Sequence, residues 1–104
     1  MTQEQIKTIK EQEQNLKSAS DFLEKATALL EEWKSLQPKI QSLEAYYYSP
    51  QWQKDYERSN QTPLDFPHGV LSEDAVYLFL AHQQQTAIDY IKLMANILDS
   101  KPSK

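Results

Sequence analysis

A single glycine, Gly69, serves all 104 residues of this chain. Sandwiches, barrels and phosphate-cradling loops spend glycines on tight turns and close backbone approach, so those folds have little to be built from here. Gln, Glu, Lys, Leu and Ala dominate instead, and these are good helix formers. At this length a single domain over residues 1–104 with a modest core is expected. The fold class that follows is all-α.

Periodicity says how the helices run. Thr2 and Gln5 carry the spacing of a capping box, in which hydroxyl and amide each satisfy a free backbone N–H. Ile6, Ile9 and Leu16 then lie on roughly one side. A denser stripe follows at Ala19, Phe22, Ala26, Leu29, Trp33, Leu36, Ile40, Leu43 and Tyr47, alternating steps of three and four residues. That is the a/d pattern of a helix packed along its length. Leu23 and Leu30 widen the stripe, as in a bundle. Glu13 with Lys17 and Asp21 with Lys25 add i,i+4 pairs on the polar side.

Pro38 interrupts this pattern chemically. It removes one hydrogen bond and presses on the carbonyl four residues back, that of Lys34. A helix end near Leu36 and a chain reversal is one reading. The other is a continuous helix over residues 3–47 kinked near Pro38, and the unbroken phase of Leu36, Ile40 and Leu43 favours it, as does the lack of a glycine or short polar loop nearby. Ser49-Pro50 reads as an N-cap followed by proline at the first helical position, opening a short helix over 50–58. Residues 59–72 form a loop stiffened by Pro63 and Pro67, with Leu64, Phe66, Val70 and Leu71 to pack it down. Ser72, with Glu73 and Asp74 in the first turn, starts a last helix over 73–99, and residues 100–104 read as a frayed tail.

The expected architecture is an elongated antiparallel helical hairpin or bundle. At ~1.5 Å per residue the long helix would reach roughly 68 Å and the last one roughly 40 Å. The last helix would then cover the first only back to about Ser20, leaving Ile6, Ile9 and Leu16 without an intramolecular partner. An isolated helix is marginal in water, so this arm is expected to pack on another protein, with a second copy of the chain as the simplest candidate.

Charge and composition exclude several functions. Eleven basic and fifteen acidic side chains give a net charge of −4, spread without a basic cluster, so nucleic acid and anionic membrane surfaces are not expected partners. The longest apolar run, Ala75–Ala81, is far short of a membrane span. The N-terminal residues lack a basic region and hydrophobic block, so no secretory signal is read and a cytoplasmic location is expected. Without cysteine there is no disulfide, thiolate nucleophile or thiolate-held metal. His68 and His82 are the only histidines, and neither sits in a metal-ligand spacing. No serine stands in a glycine-rich elbow. Neither enzyme activity, nor metal, nor cofactor is expected.

Three blocks resemble a known family. They are Leu36-Gln37-Pro38-Lys39-Ile40 through Leu43-Glu44-Ala45-Tyr46-Tyr47, then Trp52 with Asp55-Tyr56-Glu57, then Gly69-Val70-Leu71-Ser72-Glu73-Asp74-Ala75-Val76-Tyr77. Together they resemble domain of unknown function 4298, a family of small helical bacterial proteins. The resemblance implies a small cytoplasmic helical protein of bacteria and carries over no activity or functional residue.

Two surfaces stand out as candidates. The first is the arm, Ile6, Ile9 and Leu16, for self-association as a homodimer or for a partner helix. The second is the aromatic cluster of Tyr46, Tyr47, Tyr48, Trp52 and Tyr56. Tyr and Trp suit recognition because they combine large area with a polar tip. They equally suit a roof over the end of the bundle. The rival function is a small-ligand or peptide-binding module in which Tyr46, Tyr48, Trp52, Tyr56 and His68 line a site beside the 59–72 loop.

Overall fold

The structure, a computed structural model, describes residues 1–100. It is all-α: among the described residues there are three α-helices, one 3₁₀ turn and no strand. Helix α1 runs Gln3–Tyr47, α2 Pro50–Ser59 and α3 Ala75–Asp99, with the 3₁₀ turn at Gly69–Leu71. Of the expected tail, all but Ser100 lies outside the described residues.

Helix α1 starts on the capping box. Gln5 N–H donates to Thr2 Oγ1 at 3.0 Å and Thr2 N–H donates to Gln5 Oε1 at 2.7 Å. Pro38 lies inside the helix and does not end it. It has no N–H for the carbonyl of Lys34. One residue earlier, Gln37 Nε2 donates to the carbonyl of Trp33 at 3.2 Å, adding a side-chain bond to the helix where the ladder is interrupted. The chain divides into two units at this point, Met1–Lys39 and Ile40–Lys104.

The unit Met1–Lys39 consists of a single helical segment, so within it no second element covers an apolar side chain. Only Ala26, Trp33 and Gln37 are half-buried there, and every other side chain is exposed. Lys17 reaches forward to Asp21 at 3.2 Å, and Lys34 pairs with Glu31 at 3.4 Å. The sequence pairs Lys17 with Glu13 and Asp21 with Lys25; in the structure Lys17 and Asp21 take each other. Such exposed pairs are worth a few tenths of a kcal/mol.

The unit Ile40–Lys104 has a core. Trp52 of α2 and Val76 of α3 are buried, and Ile40, Leu43, Leu64, Val70, Leu71 and Leu80 are half-buried. Helix α2 begins as the sequence predicts: Ser49 is extended, its Oγ accepts from Trp52 N–H at 3.3 Å, and Pro50 takes the first helical position. Helix α3 begins later than predicted, at Ala75. Ser72 Oγ accepts from the N–H groups of Asp74 and Ala75, both at 3.2 Å, so Ser72 serves the helix start from three residues before it and Glu73-Asp74 form a turn. Gly69 has a negative φ and open space where a Cβ would stand. The one glycine of the chain is therefore not demanded by backbone conformation at its position.

Candidate functional site

The sequence Tyr46-Tyr47-Tyr48-Ser49-Pro50 ends one helix and starts the next, which fans three consecutive phenols around the junction. Trp52 and Tyr56 follow one turn apart on α2, a spacing that puts both rings on one face. They stack with centroids 5.1 Å apart and an interplanar angle of 7°. Tyr47 meets Trp52 edge-on at 5.2 Å, and Tyr48 meets Tyr47 edge-on at 5.0 Å. Offset-stacked and edge-to-face contacts are the arrangements that aromatic quadrupoles favour.

The polar tips of these rings hold the segment leading into α3. Trp52 Nε1–H donates to the carbonyl of Val70 at 2.8 Å, and Tyr47 Oη donates to the carbonyl of Glu73, also at 2.8 Å. Tyr56 Oη donates to the Glu73 carboxylate. Tyr46 turns to a separate partner: its hydroxyl donates to Asp55 Oδ2 at 2.7 Å, while Gln51 Nε2 donates to Asp55 Oδ1 at 2.8 Å. The bond to Asp55, together with desolvation, pushes the Tyr46 phenol up to about 12. The same bond, with that from Gln51, holds the Asp55 carboxyl below its ordinary value. Tyr56 is raised by its bond to Glu73. Each shift stabilises the state found at neutral pH, phenol protonated and carboxylate charged.

Of the residues the sequence singles out for a ligand site, Trp52 lies in the core and Tyr48 is largely exposed beyond Tyr47. Tyr46, Tyr56 and His68 border two adjoining clefts beside the loop. One, about 340 Å³, is bounded by Tyr46, Arg58, Leu64 and Phe66. The other, about 430 Å³, lies against Tyr56, Asn60 and Gly69. Phe66, Pro67 and His68 border both. His68 Nδ1 is 2.8 Å from the carbonyl of Phe66, which can only accept, so Nδ1 carries the proton. The 340 Å³ cleft thus combines aromatic walls with the Arg58 cation and the Asp55 carboxylate. The sequence marks Phe66 only as a residue that packs the loop down and gives Arg58 no binding role; α2 carries Arg58, and the loop brings Phe66 to the same cleft as Tyr46. Among the described residues no group of three or more His, Cys, Asp or Glu converges to hold a metal.

On the arm, Ile6, Ile9 and Leu16 are 39%, 52% and 61% exposed. No helix among the described residues is long and apolar enough to cross a membrane.

No curated protein and no solved structure matches this chain. The profile of one protein family, described as a domain of unknown function (DUF4298), matches residues 9–93. That span takes in nearly all of α1, the aromatic junction, the loop and most of α3, and the chain belongs to the DUF4298 family.

Proposed function

We propose that this protein is a non-enzymatic helical module, cytoplasmic, whose work is to bind protein, first of all a second copy of itself. The observation that carries this reading is the unit Met1–Lys39, a helix with no second element in its own unit. Eight large apolar residues on α1, from Ile6 to Leu36, are exposed. A run of large exposed apolar residues of this kind marks a protein-interaction surface. The reading includes the antiparallel helical hairpin or bundle that the sequence leads one to expect.

Molar mass by light scattering behind a sizing column, over a range of concentrations, tests it. A mass that rises toward the dimer, and falls back in a variant carrying Ile6→Glu, Ile9→Glu and Leu16→Glu with helix content kept, supports the module. A monomer at every concentration that also captures no partner sinks it.

One observation favours a second reading. The 340 Å³ cleft sets Arg58 among Tyr46, Phe66 and His68 with the Asp55 carboxylate on the same wall, which suits a small ligand or peptide that carries a carboxylate and a cation together. Trp52 fluorescence should then respond to a panel of carboxylates and peptides, through Val70, which borders the cleft and accepts the indole N–H. A flat response across the panel removes this alternative.

A further inference from the structure

Helix α1 carries a second apolar line beside the stripe that ends at Tyr47. Ile9, Leu16, Leu23 and Leu30 recur every seven residues, and all four are exposed, Leu23 at 65% and Leu30 at 52%. A strict seven-residue repeat drifts ~20° per heptad on a straight helix and is held in line by a left-handed supercoil with another helix. In heptad terms these four residues are d, and the a positions are Ile6, Glu13, Ser20, Thr27 and Lys34.

The flanking charges identify the partner. The e positions are Lys10, Lys17, Glu24 and Glu31, basic in the first half and acidic in the second, and all four are exposed. The g positions, Gln12, Ala19, Ala26 and Trp33, carry no charge. In a parallel pair e faces g of the partner, so these four charges meet nothing charged, while like charges meet in the seam at Glu13–Glu13 and Lys34–Lys34. In an antiparallel pair e faces e, and a sits against d. Setting residue i against residue 43 − i places Ser20 by Leu23 and Glu13 by Leu30. It also places Lys10 near Glu31 and Lys17 near Glu24 of the other copy, each contact occurring twice. The intrahelical pairs Lys17–Asp21 and Glu31–Lys34 are exposed and weak enough to share their charges.

We infer that α1 binds a second copy of this chain as a two-fold antiparallel coil along Ile9, Leu16, Leu23 and Leu30, its direction set by Lys10 and Lys17 facing Glu31 and Glu24 of the other copy. This rests on the self-association reading above and names its surface and geometry. Since each layer pairs an apolar with a polar residue, the dimer is weak and reversible, with a Kd on the order of 10 μM or higher.

Complementary charge reversal tests it on the full chain. Lys10→Glu with Lys17→Glu makes every e position acidic, and Glu24→Lys with Glu31→Lys makes every one basic. Each double variant alone should self-associate about 100-fold more weakly than the native chain, with helix content by circular dichroism retained. An equimolar mixture should form a heterodimer of native affinity. Spin labels on Glu11→Cys should lie about 32 Å apart along the axis in the dimer and on Ser18→Cys about 10 Å apart, at 1.5 Å per residue; a parallel pair puts both at the same short distance. A native dimer whose reversed variants associate equally well overturns this surface and leaves self-association standing. Weakened variants that fail to complement each other overturn the antiparallel geometry. A native chain monomeric throughout overturns both readings.

Discussion

The two units of this protein differ in the reach of their polar contacts. In Met1–Lys39 one helix carries most of its large apolar residues in the open, and its polar contacts include a capping box, two exposed ion pairs and side-chain bonds within the helix. In Ile40–Lys104 the polar contacts reach across the chain, as Trp52 to Val70 and Tyr47 and Tyr56 to Glu73 show. A helix needs a partner to be stable beyond its intrinsic propensity. The second unit supplies one for α2 and the start of α3 in the aromatic junction and the loop, while further along α3 Ile91, Leu93, Ile97 and Leu98 stay exposed. The first has none in its own unit, and that is why it is the candidate interface.

The sharpest way to break this contrast is Trp52→Ala. Removing a buried aromatic costs about 3–5 kcal/mol, so denaturant unfolding followed by near-ultraviolet circular dichroism should shift strongly. Amide exchange should accelerate over residues 40–99 and stay unchanged over the first turns of α1. Acceleration through both units would mean they unfold as one.

Val76→Ala, the other buried position, should cost about 1.5 kcal/mol, at ~0.8 kcal/mol for each buried carbon lost, in the same unfolding measurement. Ser49→Ala removes the N-cap of α2 and should cost about 1 kcal/mol; because α2 carries Trp52, the loss should register in the aromatic signal. An unchanged midpoint would show that Pro50 and the ring contacts suffice to start the helix.

A smaller effect comes from pH. Tyr46 is raised in the folded chain, so its contribution is complete below 10 and is lost as pH rises toward about 12. Asp55 is lowered, so its contribution is complete above the ordinary carboxylate value of 3.8 and is lost as pH falls through the folded value. Melting temperature should fall at both extremes, and Tyr46→Phe should flatten the alkaline fall and reduce the acid one. An unaltered profile would assign the titration to other groups. Smallest of all, Ile9→Ala and Leu16→Ala should change unfolding of the monomer by no more than about 0.5 kcal/mol, as exposed positions do. A larger loss in dilute solution would make the arm ordinary core.

Much of this was legible in the residues. The capping box at Thr2 and Gln5 and the Ser49-Pro50 start of α2 depend on neighbours within a turn, and their chemistry is visible wherever they occur. The helix through Pro38 was legible in the phase of Leu36, Ile40 and Leu43, since a proline costs a hydrogen bond and local packing preferences decide whether that cost is met. The start of α3 was two residues off, because Ser72 caps equally well from a turn outside the helix as from its first position.

What is local could be read from the residues alone: an all-α chain, the starts of α1 and α2, the family and the lack of a basic cluster. Only the tertiary structure decided which aromatic residue is core and which is surface. Tyr46, Tyr47, Tyr48, Trp52 and Tyr56 are alike in hydrophobicity, and what separates them is the return of Val70–Glu73 over α2, where Trp52 finds a carbonyl for its indole N–H and Tyr46 finds only Asp55. A buried polar tip must have a partner, and the partner's place is set by chain segments 17 to 26 residues away, beyond the reach of any local pattern.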